Sequence, residues 1–118
     1  MTSVKFTTRK VSAGYELTMQ VNGHANYANE GPDIVCSACS MLVQALAATL
    51  MHLKPSDIPL IYTENEEKAE TTVWYLATDA LDAERAASMF LVARIGFDLL
   101  AKKYPENVCV SGENSRVH

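Results

Sequence analysis

Residues Ile34 to Leu53 form a run of 20 with no formal charge, and any fold of this chain has to cover it. Asp33 stands where a helix N-cap belongs, and Lys54-Pro55 ends the run, so the segment reads as one long helix. By length alone such a helix could cross a membrane. Against a span stand Cys36, Ser37, Ser40, Gln44, Thr49 and His52, an Ala-rich composition, and amphipathic strands on both sides that need a core. Hydropathy of this moderate kind marks a buried helix. A helix apolar on most of its faces covers more than one sheet surface, and a second subunit is the usual solution; a homodimer is therefore expected.

The flanking sequence supplies the strands. Val4 to Phe6, and then Tyr15, Leu17, Met19 and Val21, alternate apolar with polar around Ser12-Ala13-Gly14, which predicts a β-hairpin with one wet face. Asn22 to Asp33 changes to Asn, Gly, His, Glu and Pro and reads as a loop. Pro59 to Thr63 and Thr71 to Thr78 read as two more strands, joined by a solvated acidic tip at Glu64-Asn65-Glu66-Glu67-Lys68. Asp79 or Asp82 caps a second helix running to about Tyr104, whose acids lie at its start and whose Lys102 and Lys103 lie at its end. Met89, Leu91, Val92, Ile95, Leu99 and Leu100 form its expected apolar stripe. Pro105 stops it, and Val108-Cys109-Val110 supplies a short last strand. The order β-β-α-β-β-α-β predicts an α+β fold in two layers. It has a mixed or antiparallel sheet of four to five strands, with two helices on one face.

Composition narrows the function. A chain of 118 residues fits one domain, residues 1–118. Ten Lys and Arg against 14 Asp and Glu give a net charge of −4, with no basic run, which speaks against binding a phosphate backbone. Three cysteines are an odd number and no secretory signal opens the chain, so a disulfide framework is not expected and a reducing cytoplasm is.

The chemistry concentrates around Cys36. It falls in the first turn of the long helix, where unpaired N–H groups and the positive dipole end favour a thiolate and can hold an oxyanion. A nearby histidine would shuttle the proton to a leaving amine. His52 lies roughly 24 Å along the same helix and cannot reach. His118 ends the chain. His24 is joined to Cys36 by a loop whose extended reach is about 40 Å, so it can fold back, and by elimination it is the partner. The plain alternative is a small buried cysteine and a solvent-facing histidine.

Two other readings share these residues. Cys36-Ser37-Ala38-Cys39 is a C-x-x-C at a helix start, as in dithiol oxidoreductases, though without a thioredoxin-like opening. His24, Cys36 and Cys39 also suggest zinc, as in the base deaminases. Those enzymes need a Glu two residues after the His and a Pro before the first Cys, where this chain has Asn26 and Val35. A structural zinc site with Cys109 as fourth ligand completes the alternatives.

Gly23-His24-Ala25, a short loop, then Gly31-x-Asp33-Ile34-Val35-Cys36 and Ser40 resemble the ribosomal-processing cysteine protease Prp family. The likeness runs along the chain, from the hairpin before the motif to the late helix ending in Tyr104-Pro105. The resemblance implies a cytoplasmic bacterial endopeptidase, one cysteine-protease domain that removes a short N-terminal extension from a large-subunit ribosomal protein after an aromatic-containing motif. Carried over by position, Cys36 is the nucleophile and His24 the general base and acid. Asp33 lies near the pair, either orienting His24 or capping the helix. Ser40, one turn on, contacts substrate or the tetrahedral intermediate. The family is homodimeric, and its loop between the histidine and the cysteine acts as a mobile lid, here bounded by Gly23 and Gly31. No cofactor, metal, nucleic acid or membrane partner is implied, and Cys39 is a helix-core residue. The remaining alternatives are a redox or metal-binding C-x-x-C protein without protease activity, and a noncatalytic interaction module.

Overall fold

The computed structural model describes residues 1–24, 33–53, 60–65 and 67–112. The elements follow the expected order: β1 (Thr2–Val11), β2 (Gly14–Asn22), α1 (Ile34–Leu53), β3 (Leu60–Asn65), β4 (Glu70–Ala77), α2 (Ala80–Lys103) and β5 (Val108–Gly112). The five strands form one sheet in the order β3-β4-β2-β1-β5. Every pairing is antiparallel except that of β1 with β5, so the sheet is mixed.

Period-two alternation sorts the strand residues. Thr2, Val4 and Phe6 of β1, Leu17, Met19 and Val21 of β2, and Val73, Tyr75 and Ala77 of β4 are buried on one face. The register places Phe6 opposite Met19 and Met19 opposite Val73, so the apolar side chains form rows across the sheet. On this face α1 lies over β3 and β4, α2 lies over β2, β4 and β5, and the helices touch each other. Helix α1 is long and apolar enough to cross a membrane, with a mean hydropathy of 1.9. It nonetheless turns Val35, Cys39, Val43, Leu46, Ala47 and Leu50 into the same core as the strands.

Two local expectations are corrected. Glu64 and Asn65 are not hairpin tip but the last residues of β3, paired with Thr71 and Glu70. Backbone pairing to β4 overrides their low strand propensity. The expected start of β3 at Pro59, and Glu66, lie outside the described residues.

In α2 the stripe Leu91, Val92, Ile95 and Leu99 faces outward, 41–69% exposed, and only Met89 and Leu100 pack against the core from the edge. The sheet instead meets Ala83, Ala86, Ala87, Phe90, Ala93 and Phe97. This is an equally regular helical stripe, but of small residues interrupted by rings, which lets the helix axis come close to the strands. Asp79 caps α2, its Oδ1 accepting the Asp82 N–H at 2.9 Å. Asp82 is buried and accepts the Tyr75 hydroxyl at 2.7 Å; burial first, and then this bond, raise the phenol well above its usual range.

Candidate active site

One end of the sheet collects the chemistry. There β1 begins, β2 and β3 end and β4 begins, because Asn22 pairs with both Ser3 and Glu70, and Glu70 with Asn65. The N-terminal half of α1 lies above this end. Between them is a cavity of about 380 Å³. Its helix wall carries Cys36, Cys39, Ser40, Val43 and Gln44; its sheet wall carries Val21, Gly23, His24, Glu64, Asn65 and Glu70. Helical spacing explains the first set, since 36, 39, 40, 43 and 44 share one face.

His24 and Cys36 therefore meet on one cavity, although 12 positions separate them. His24 is exposed and Cys36 half-buried. Ser40 lies on the same wall one turn beyond Cys36. His52 is at the far end of α1 and outside the cavity lining. Gly31 lies outside the described residues, as do residues 25–32 of the loop.

Gly23 is an anchor rather than a source of freedom. Its N–H donates to Ala69 O at 2.8 Å, its φ is 85°, and a Cβ there would stand 2.4 Å from Met1 O. Only glycine satisfies both the left-handed backbone and the close approach. The residue after it, His24, is thus launched from a fixed point. Ala69 itself takes a φ of 50° and lines the cavity, a strained turn of the kind that clusters at functional sites.

Asp33 caps α1. Its Oδ1 accepts the N–H of Val35 at 2.9 Å and of Cys36 at 3.1 Å, and its carbonyl accepts the N–H of Ser37 at 3.0 Å. Of the two roles open to Asp33, the helix cap is the one the hydrogen bonds display. The same bonds bear on the first-turn N–H groups expected near Cys36: the amides of Val35 and of Cys36 itself are engaged by the Asp33 carboxylate.

The cysteines are not equivalent. All three are thiols. Cys39 is 5% exposed and belongs to the core, as expected. Burial first, then the neighbouring Cys36 and then Asp33, push its thiol up to about 11. At neutral pH it is a protonated core residue. Among the described residues no group of three or more His, Cys, Asp or Glu could hold a metal ion.

Gln44 and Asn65 are cavity residues that sequence reasoning missed, whereas Glu64 and Glu70 were expected only as part of an acidic surface suited to a basic tail and not as cavity lining. Gln44 carried a usable signal, sitting two turns from Cys36 on its face. The acids showed as a charge cluster, but their place beside Cys36 did not, since it depends on strand register.

The family model for Cysteine protease Prp matches residues 1–109. No curated protein sequence is significantly similar to the chain. Two crystal structures of the essential ribosomal processing protease Prp from Staphylococcus aureus share the fold. The one with a covalently linked product peptide has a TM-score of 0.75 at 17% identity, covering 96% of this chain and 100% of that one. The one with a substrate peptide has a TM-score of 0.72 at 16% identity, with the same coverage. A protein from Streptococcus mutans superposes with a TM-score of 0.68 at 26% identity, over 95% of this chain and 93% of that one. With the family model spanning nearly all of its length, the chain belongs to the cysteine protease Prp family.

Proposed function

We propose that this protein is a cytoplasmic bacterial endopeptidase that trims the N-terminal extension of a large-subunit ribosomal protein, with Cys36 as nucleophile and His24 as general base and acid. The observation that carries the reading is the convergence of His24 and Cys36 on one cavity, beside a second cysteine held as a buried thiol. The ribosomal substrate is supported by the Staphylococcus aureus relatives, which are ribosomal processing proteases of the same fold. Glu64 and Glu70 on the sheet wall add negative charge suited to a basic ribosomal-protein tail.

In this mechanism His24 takes the Cys36 proton and the thiolate attacks the scissile carbonyl. With the Cys36 amide engaged by Asp33, the Ser40 hydroxyl is the donor of the right kind on the right wall for the developing oxyanion. His24 then protonates the leaving amine, and water clears the acyl-enzyme.

A homodimer is part of the proposal. The outward stripe of α2, together with Met41 on α1, leaves an apolar helix layer that a second copy would cover.

The test is cleavage of the N-terminal segment of the same organism's ribosomal protein, read by mass spectrometry. Wild type is expected to make one cut. Cys36→Ala should lose at least about 10⁴-fold and His24→Ala about 10²–10⁴-fold, with both variants folded. An active Cys36→Ala beside an inactive Cys39→Ala would overturn the assignment.

A further inference from the structure

Cys39 has no part in the proteolytic mechanism, yet its thiol lines the same cavity as that of Cys36. Three residues apart on a helix, their Cα atoms are about 5 Å apart, inside the roughly 4.4–6.8 Å that a disulfide spans. Their Cβ atoms, at about 5–6 Å, must approach by about 1 Å or more. The Cys-x-x-Cys pairs of dithiol oxidoreductases, also placed at a helix start, close across this same spacing, so the first turns of a helix can supply that movement.

We propose that Cys36 and Cys39 form an oxidative modification site, in which a hydroperoxide converts Cys36 to a sulfenic acid and Cys39 closes it into a reversible intramolecular disulfide. The consequence for activity rests on Cys36 being the nucleophile; the bond itself does not. In the first step the Cys36 thiolate attacks the peroxide. An S–O bond forms, the O–O bond breaks, and the alkoxide or hydroxide takes up a proton. In the second, the Cys39 sulfur attacks the Cys36 sulfur. The S–S bond forms, the S–O bond breaks, and hydroxide leaves as water with the Cys39 proton. Two thiols are oxidised by two electrons, and the peroxide is reduced to alcohol or water.

The order of events follows from the environments. Cys36 is half-buried and open to the cavity, whereas Cys39 is buried and protonated, so oxidant meets Cys36 first. The charge of Cys36 is one of the causes holding the Cys39 thiol up. An uncharged sulfenic acid removes that cause at the moment Cys39 has to react. The closed disulfide takes the sulfur that His24 would activate and protects it from irreversible oxidation to the sulfinic acid.

The test uses the full chain carrying Cys109→Ser, which removes the exposed third thiol. Hydrogen peroxide treatment, iodoacetamide blocking and mass spectrometry are the readout, with peptide cleavage followed in parallel. The expected product has lost two hydrogens, takes no iodoacetamide at either position, and recovers both thiols and cleavage with dithiothreitol. Adding Cys39→Ala, or Cys39→Ser if alanine destabilises the fold, should turn the product into a Cys36 sulfinic acid that dithiothreitol does not restore. Equal over-oxidation of Cys36 with and without Cys39, or disulfides only between chains, would overturn the proposal. A reversible disulfide that leaves cleavage unchanged upholds the site and overturns the assignment of Cys36 as nucleophile.

Discussion

At Asp33 one carboxylate determines where α1 begins and how the backbone of Cys36 is held, through bonds to the amides of Val35 and Cys36. Asp33→Ala should lower stability by about 1 kcal/mol in urea unfolding, and Asp33→Asn should recover most of it, because the amide oxygen can cap as well. Cys39 makes a different kind of prediction. Its folded thiol ionises near 11 against an ordinary 9.0, so the folded state holds this proton more tightly than the unfolded chain. Stability from this group is complete below pH 9 and is lost as pH rises towards 11. The difference is ~2–3 kcal/mol across that window. Urea midpoints of wild type and Cys39→Ala, measured at both ends of it, should fall further in wild type, the loss common to both coming from groups such as the Tyr75 phenol. Much of this scale was readable beforehand: an acid before an uncharged run marks a cap, and a cysteine at helical spacing among alanines marks a core residue. That the carboxylate takes both the Val35 and the Cys36 amide was less readable, since either alone satisfies a cap and the choice depends on the rotamer of Asp33.

Among the elements, α2 departs furthest from its sequence reading. Its large aliphatic residues point away from the sheet and its alanines point in, because the strands below already carry Phe6, Leu17, Met19 and Tyr75 and leave little room. Ala86 is fully buried on that side. Ala86→Leu should therefore destabilise by ~1–3 kcal/mol through overpacking. The exposed Arg85→Leu, one position along, should change stability by less than ~0.5 kcal/mol. Equilibrium denaturation of the two variants distinguishes this packing from the reverse one. Two helical stripes of different chemistry coexist on α2, and periodicity by itself selects neither. The β-hairpin was easier, because strict alternation from Tyr15 to Val21 admits only one buried face.

For the whole molecule, the misplaced stripe becomes informative. Val92, Ile95 and Leu99 are at least half exposed, and Leu42, Ala45 and Thr49 of α1 join Met89 and Val92 around an apolar hollow of about 150 Å³ between the helices. If a second copy covers this layer, Val92→Lys with Leu99→Lys should weaken dimerisation by about a hundredfold or more while leaving the monomer folded. Sedimentation equilibrium and circular dichroism read the two effects separately. Element order, the two-layer class, the capped helix and the histidine–cysteine motif were all determined by the sequence alone, since caps, alternation and uncharged runs are local signals. Tertiary structure alone decided that Glu64, Glu70 and Gln44 share a cavity with His24 and Cys36, and which face of α2 meets the sheet. Those outcomes depend on strand register and on the volume left between layers, and both are settled by side chains distant in sequence competing for the same space.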